Sequence, residues 1–108
     1  MTKVVYWRRD LPPLSEQIEG EHELIATSEH AHVSWADRDA LWGRCYRSLT
    51  ERAEARLAQE VARLGGSCAH VLDEQVTSKV DDATGAMWLV GVYRYVLYRH
   101  PPGGDGAR

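Results

Sequence analysis

A chain of 108 residues is long enough for one domain with a single core. Apolar residues at 44 % and charged residues at 27 % are ordinary for a soluble globular protein. A formal net charge of −3, with no basic run, offers no general attraction to nucleic acid or to an anionic membrane. Two cysteines are too few for a disulfide framework and no apolar stretch reaches the length of a membrane span, so the expected address is the cytoplasm and Cys45 and Cys68 are expected as reduced, packed thiols.

Met1 to Leu14 carries charges and two prolines where a secretion signal needs an unbroken apolar run. Within it, Lys3 to Arg8 (KVVYWR) is rich in branched and aromatic side chains and favours β structure, and Asp10-Leu11-Pro12-Pro13 ends it. It reads as an edge strand or as an arm laid over a neighbouring surface, with Leu14 to Gly20 as a connector. Residues 1–20 thus form an arm and connector, 21–100 a single α+β domain, and 101–108 a Pro/Gly-rich disordered tail.

Glu23 to Ser34 is the first substantial strand. Ile25, Thr27, Ala31 and Val33 share one face of it; Leu24, Ala26, His30 and His32 share the other. Ser34 or Asp37 can cap the helix that follows, from Arg38 to Leu64. In that helix Trp42, Tyr46, Leu49, Ala53, Leu57, Val61 and Leu64 recur at steps of three and four and form one apolar stripe, widened by Leu41 and Cys45. Gly65-Gly66 is a strong stop, because glycine accepts the left-handed conformation that closes a helix.

Cys68 to Val80 and Ala86 to Arg99 then read as two strands of a hairpin turning through Asp81 to Gly85. In the last strand Trp88, Val90, Val92, Val96 and Tyr98 alternate with Met87, Leu89, Tyr93, Tyr95 and Leu97, so both faces are apolar. Gly91 marks a bulge or a close backbone approach. The fold class is therefore α+β: strand, long helix, β-hairpin, with the helix on one face of an antiparallel sheet. Alternating directions put the last strand in the centre beside the first; parallel pairing of the first two strands is the competitor. One helix covers one face, so a neighbouring subunit is expected on the other, with Tyr93 and Tyr95 near the contact. The rival cover is Val4, Val5, Tyr6 and Trp7 folding back.

The run Leu57-Ala58-Gln59-Glu60-Val61-Ala62-Arg63-Leu64-Gly65-Gly66, then Ala69-His70-Val71 and a hairpin, resembles the YbjQ-like group of small bacterial domains, sometimes labelled heavy-metal-binding. The resemblance covers roughly Glu23 to Arg99. It implies an α/β fold and ring-like homo-oligomers, commonly pentamers, and little about chemistry. The group's Gly-Thr-Ala near the end of the last strand is replaced here by Tyr93-Arg94-Tyr95-Val96. Dodecin-like flavin carriers share the element order but stack flavin on a Trp where this chain has Ser67-Cys68, which demotes a flavin reading.

Metal-ligand chemistry is concentrated in His30-x-His32 and Cys68-x-His70. Residues two apart on a strand point the same way, so each pair can present two zinc ligands. With the last strand between them, the pairs stand about 10 Å apart across the sheet, too far for one ion. Zinc is therefore the alternative to having no cofactor. There is no G-x-S-x-G, no phosphate-cradling glycine loop and no H-E-x-x-H, and no catalytic residue is assigned. Trp88, Tyr93, Tyr95 and Tyr98 are expected as core and interface, or as the lining of a ligand pocket at a subunit junction. The expected function is a non-catalytic, oligomeric assembly or binding module that contacts neither nucleic acid nor the membrane interior; the alternative is a metal- or small-ligand-binding protein.

Overall fold

Six elements follow one another in the computed structural model, which describes residues 4–8, 17–32 and 38–99: β1 (Val5–Tyr6), β2 (Gln17–Thr27), β3 (Ala31–His32), α1 (Arg38–Arg63), β4 (Cys68–Asp81) and β5 (Ala86–Tyr98). The sheet order is β1-β4-β5-β2, and β3 extends the β2 side by pairing with the start of β5. Both β2 and β4 run antiparallel to β5, while β1 is parallel to β4. The fold is thus α+β with β5 between β2 and β4, the first of the two arrangements expected, and the sheet is mixed rather than antiparallel because β1 joins β4 in parallel. Ser34, Asp37, Pro12-Pro13, His100 and residues 101–108 lie outside the described residues.

α1 begins and ends where the periodicity places it. Its buried ridge is Cys45, Leu49, Ala53 and Leu57, each without solvent exposure, continued by Val61. The start of the stripe is corrected: Trp42 is 45 % exposed and stacks on Tyr46, ring centroids 5.2 Å apart. Cys45 takes the core position instead, fully buried one residue before Tyr46. At the other end the amide of Gly66 donates to Val61 O (2.9 Å) and that of Gly65 to Ala62 O (3.3 Å), with Gly65 at φ +74°. That pair of bonds satisfies carbonyls the helix leaves unpaired, and the left-handed residue explains the first glycine.

β5 offers two stripes. Leu89, Tyr93, Tyr95 and Leu97 are buried beneath α1 with Leu24 and Ala26 of β2 and Ala69 and Val71 of β4. Two irregularities set the flanking strands against β5. One lies between Ile18 and Glu21; the other inserts Leu72 between Val71 and Asp73. The extra residue reverses the alternation of β4, so Glu74 and Val76 follow Val71 beneath the helix. Gly91 marks a close approach rather than a bulge, because the Tyr93 ring folds back over it: a Cβ there would stand 2.7 Å from ring atoms.

β2 starts at Gln17, inside the segment read as a connector, and its ladder with β5 breaks after Thr27. Ser28 makes the break. Its amide donates to Leu89 O (2.8 Å), and its hydroxyl accepts from the Leu89 amide (2.8 Å) while donating to Glu29 O (2.8 Å). A side chain thus does the work of a ladder carbonyl, and the chain lifts toward α1, where Ser48 Oγ accepts from the Glu29 amide (2.9 Å). β1 lies on the outer edge of β4, Val5 opposite Ala69 and Tyr6 opposite His70. The arm is therefore an edge strand, with Val5 in the core under α1 rather than across the second face.

Candidate functional site

The described residues place a polar cluster inside the core, where β4, β5, α1 and the arm meet. Glu74 reaches it because of the Leu72 bulge. The hydroxyl of Tyr46 donates to Glu74 Oε1 at 2.8 Å, and Trp7 Nε1 donates to Glu54 Oε2 at 2.6 Å. The Trp7 ring meets Tyr93 edge-on, centroids 5.8 Å apart at 69°. Tyr93 Oη, Glu74 Oε2 and Thr50 Oγ1 are all buried and have no hydrogen-bond partner in the structure. Burial pushes the Tyr93 phenol far above its ordinary value, with the neighbouring Glu74 carboxylate adding to the effect. Tyr46 is raised too, first by burial and then by its bond to Glu74. Two protonated phenols thus stand against one carboxylate, with acceptor capacity to spare on Tyr93, Glu74 and Thr50. No thiol joins them: Cys45 Sγ contacts Glu29 O at 3.7 Å, at the lifted end of β2.

The residues singled out from the sequence divide. His30 is exposed and stacks on Trp88, centroids 4.3 Å apart at 12°. His32 is exposed on β3 opposite Ala86. Cys68 is buried opposite Tyr98, at the other end of β5, and burial raises its thiol. His70 is half-buried two residues on, its Nε2 enclosed and without a partner. Ala86 and Tyr98 are separated by the whole of β5, roughly 40 Å at 3.3 Å per residue. Within one chain the two pairs therefore stand much farther apart than the sheet spacing alone implies. Among the described residues no group of three or more His, Cys, Asp or Glu is arranged to hold a metal ion.

The aromatic set also separates by face. Tyr93 and Tyr95 lie buried beneath α1, with Tyr95 stacked on His22 at 5.4 Å, so their expected place near a subunit contact is corrected. Trp88 and Tyr98 remain on the second face, at opposite ends of it. That face is narrower in apolar character than β5 alone suggests. Thr27, Gln75, Thr77 and Lys79 flank Val90, Val92 and Trp88, and Arg94 stands between Glu23 and Asp73 while pairing with Glu21 at 3.2 Å. What remains uncovered is one stripe of Trp88, Val90 and Val92, beside Ile25, while Val96 beyond Arg94 is buried.

The cluster itself was not legible in the sequence. Tyr46 falls on the helix stripe, and only the position of one bulged residue turns Glu74 inward. No helix among the described residues is long and apolar enough to cross a membrane. Comparison with protein-family models, curated proteins and solved structures finds no match to this chain.

Proposed function

We propose that the chain is a small, non-catalytic module that assembles with copies of itself and presents the combined surface for binding. The second face of β5 carries this reading. Trp88, Val90 and Val92 are half-buried on it, Ile25 beside Val92 is 54 % exposed, and no described helix or strand lies over them. A contiguous apolar stripe on a soluble chain is an association surface more often than an accident. The resemblance to the YbjQ-like group points the same way, toward a homo-oligomer, and a cytoplasmic address belongs to the same proposal. Light scattering tests it: at about 100 μM, where even a weak assembly is populated, a mass above 12.2 kDa is expected. A single-chain mass at that concentration ends the reading.

A second reading, a small-ligand-binding protein, is favoured by the three unpartnered buried oxygens of Tyr93, Glu74 and Thr50. The zinc version of that alternative lacks such support, since His30 and His32 stand at one end of β5 and Cys68 and His70 at the other.

A further inference from the structure

The two long edges of the sheet are treated differently. On β2, Arg52 and Arg56 reach over from α1 and donate to the outward carbonyls of Thr27 (3.2 Å) and Ile25. Those guanidinium groups occupy acceptors that another strand would need. On β4 the inner side pairs with β5 along its whole length, but the outer side meets β1 only at Ala69 and His70. From Leu72 to Val80 the outer edge has no strand partner among the described residues. It carries no proline, one lysine, and a bulge only at its first residue. An edge of this length that no described strand pairs is a template for another strand.

The side chains on this edge say which strand. A two-fold antiparallel pairing of β4 with itself must be centred on one residue, and charge separates the choices. Centred on Val76, Asp73 faces Lys79 of the second copy twice over, Gln75 faces Thr77, Glu74 faces Ser78, and Leu72 faces Val80, which is 56 % exposed in the single chain. Centred on Thr77, Asp73 faces Asp81; centred on Glu74, that carboxylate faces its own copy. Like charges directly opposite destabilise a ladder and opposite charges support it. The Val76 register also fits the space, since Leu72 to Val80 lies between β1 at His70 and the turn beginning at Asp82.

We propose that two copies of this chain join through β4, antiparallel about Val76, into one continuous sheet. Both helices then lie on one face, and the second-face stripes of the two copies become one wider surface. The row Glu23, Arg94, Asp73 gains Lys79 of the second copy, so charges alternate across the junction. This inference rests on the reading above that copies of this chain assemble; it adds a contact at the β4 edge, separate from the apolar stripe, which it widens and does not cover.

The test is sedimentation or light scattering of the full chain and its charge variants, with circular dichroism to confirm the fold of each. The wild type is expected to approach twice 12.2 kDa. Lys79→Asp and Asp73→Lys should each weaken the dimer about tenfold, two like-charge contacts replacing two favourable ones. The double variant Asp73→Lys/Lys79→Asp should return within about threefold of the wild type, as no merely structural effect would produce. A dimer or larger ring indifferent to the single reversals overturns the β4 contact and leaves assembly standing. Weakening without rescue overturns the Val76 register. A single-chain mass throughout overturns the assembly reading and this inference together.

Discussion

Tyr93 shows how burial and a neighbouring carboxylate act on one side chain. Its ring fills the core over Gly91 while its hydroxyl has no partner. Removing an unpaired buried hydroxyl relieves a desolvation cost, so Tyr93→Phe should be neutral or stabilising by up to about 1 kcal/mol at pH 7, measured by urea unfolding. A loss larger than that would mean the hydroxyl is held by the adjacent Glu74 carboxylate. The pH dependence has a definite sign. The folded phenol binds its proton more tightly than the ordinary value of 10.0, so the contribution is full below about pH 10 and is lost as pH rises through the folded value. Urea midpoints of the wild type should therefore fall above pH 10 more steeply than those of Tyr93→Phe. Ser28 is the opposite case, a buried hydroxyl fully engaged. Ser28→Ala strands the Leu89 amide and should cost about 1–3 kcal/mol; a change below about 0.5 kcal/mol would mean that the amide finds another acceptor.

At the scale of elements, the phase of α1 against the sheet is the testable statement. Leu57 has no solvent exposure and Trp42 is nearly half exposed. Leu57→Ala should cost about 2–5 kcal/mol, the penalty for a cavity in a close-packed core. Trp42→Ala, which removes one stacked ring from the surface, should cost less than about 1 kcal/mol. Thermal or denaturant unfolding of the two variants gives the ranking directly, and a reversed order would put the helix about one residue out of phase. The bulge at Leu72 acts on the same scale. One inserted residue carries Glu74 from the solvent side to the helix side, and with it the bond to Tyr46.

For the whole molecule, the question is what the arm does. Val5 and Trp7 pack on the helix side, and the Trp7 indole is tied to Glu54. Deleting residues 1–8 should therefore lower stability by about 2–4 kcal/mol, the loss of one buried and one partly buried apolar side chain, while leaving the mass in solution unchanged. Precipitation or growth in mass on deletion would show instead that the arm shields an association surface.

Most elements could be read from the chain, though the start of β2 at Gln17 and its break after Thr27 could not. Helix α1, the Gly65-Gly66 stop, the hairpin about residues 82–85 and the two stripes of β5 all follow from apolar periodicity and turn chemistry, which act within a few residues of the chain. The central place of β5 was one of two arrangements open to the pattern, and strand pairing chose it. Tertiary structure alone decided which stripe faces the helix, because two apolar faces give the pattern no preference, and packing put Tyr93 and Tyr95 inside. It also decided the fate of the candidate ligands. His30 and His32 are separated from Cys68 and His70 by the length of β5, a distance fixed by strand register. The polar cluster is hidden for the same reason: Glu74 turns inward through one inserted residue, and a bulge is set by what packs on either side of it.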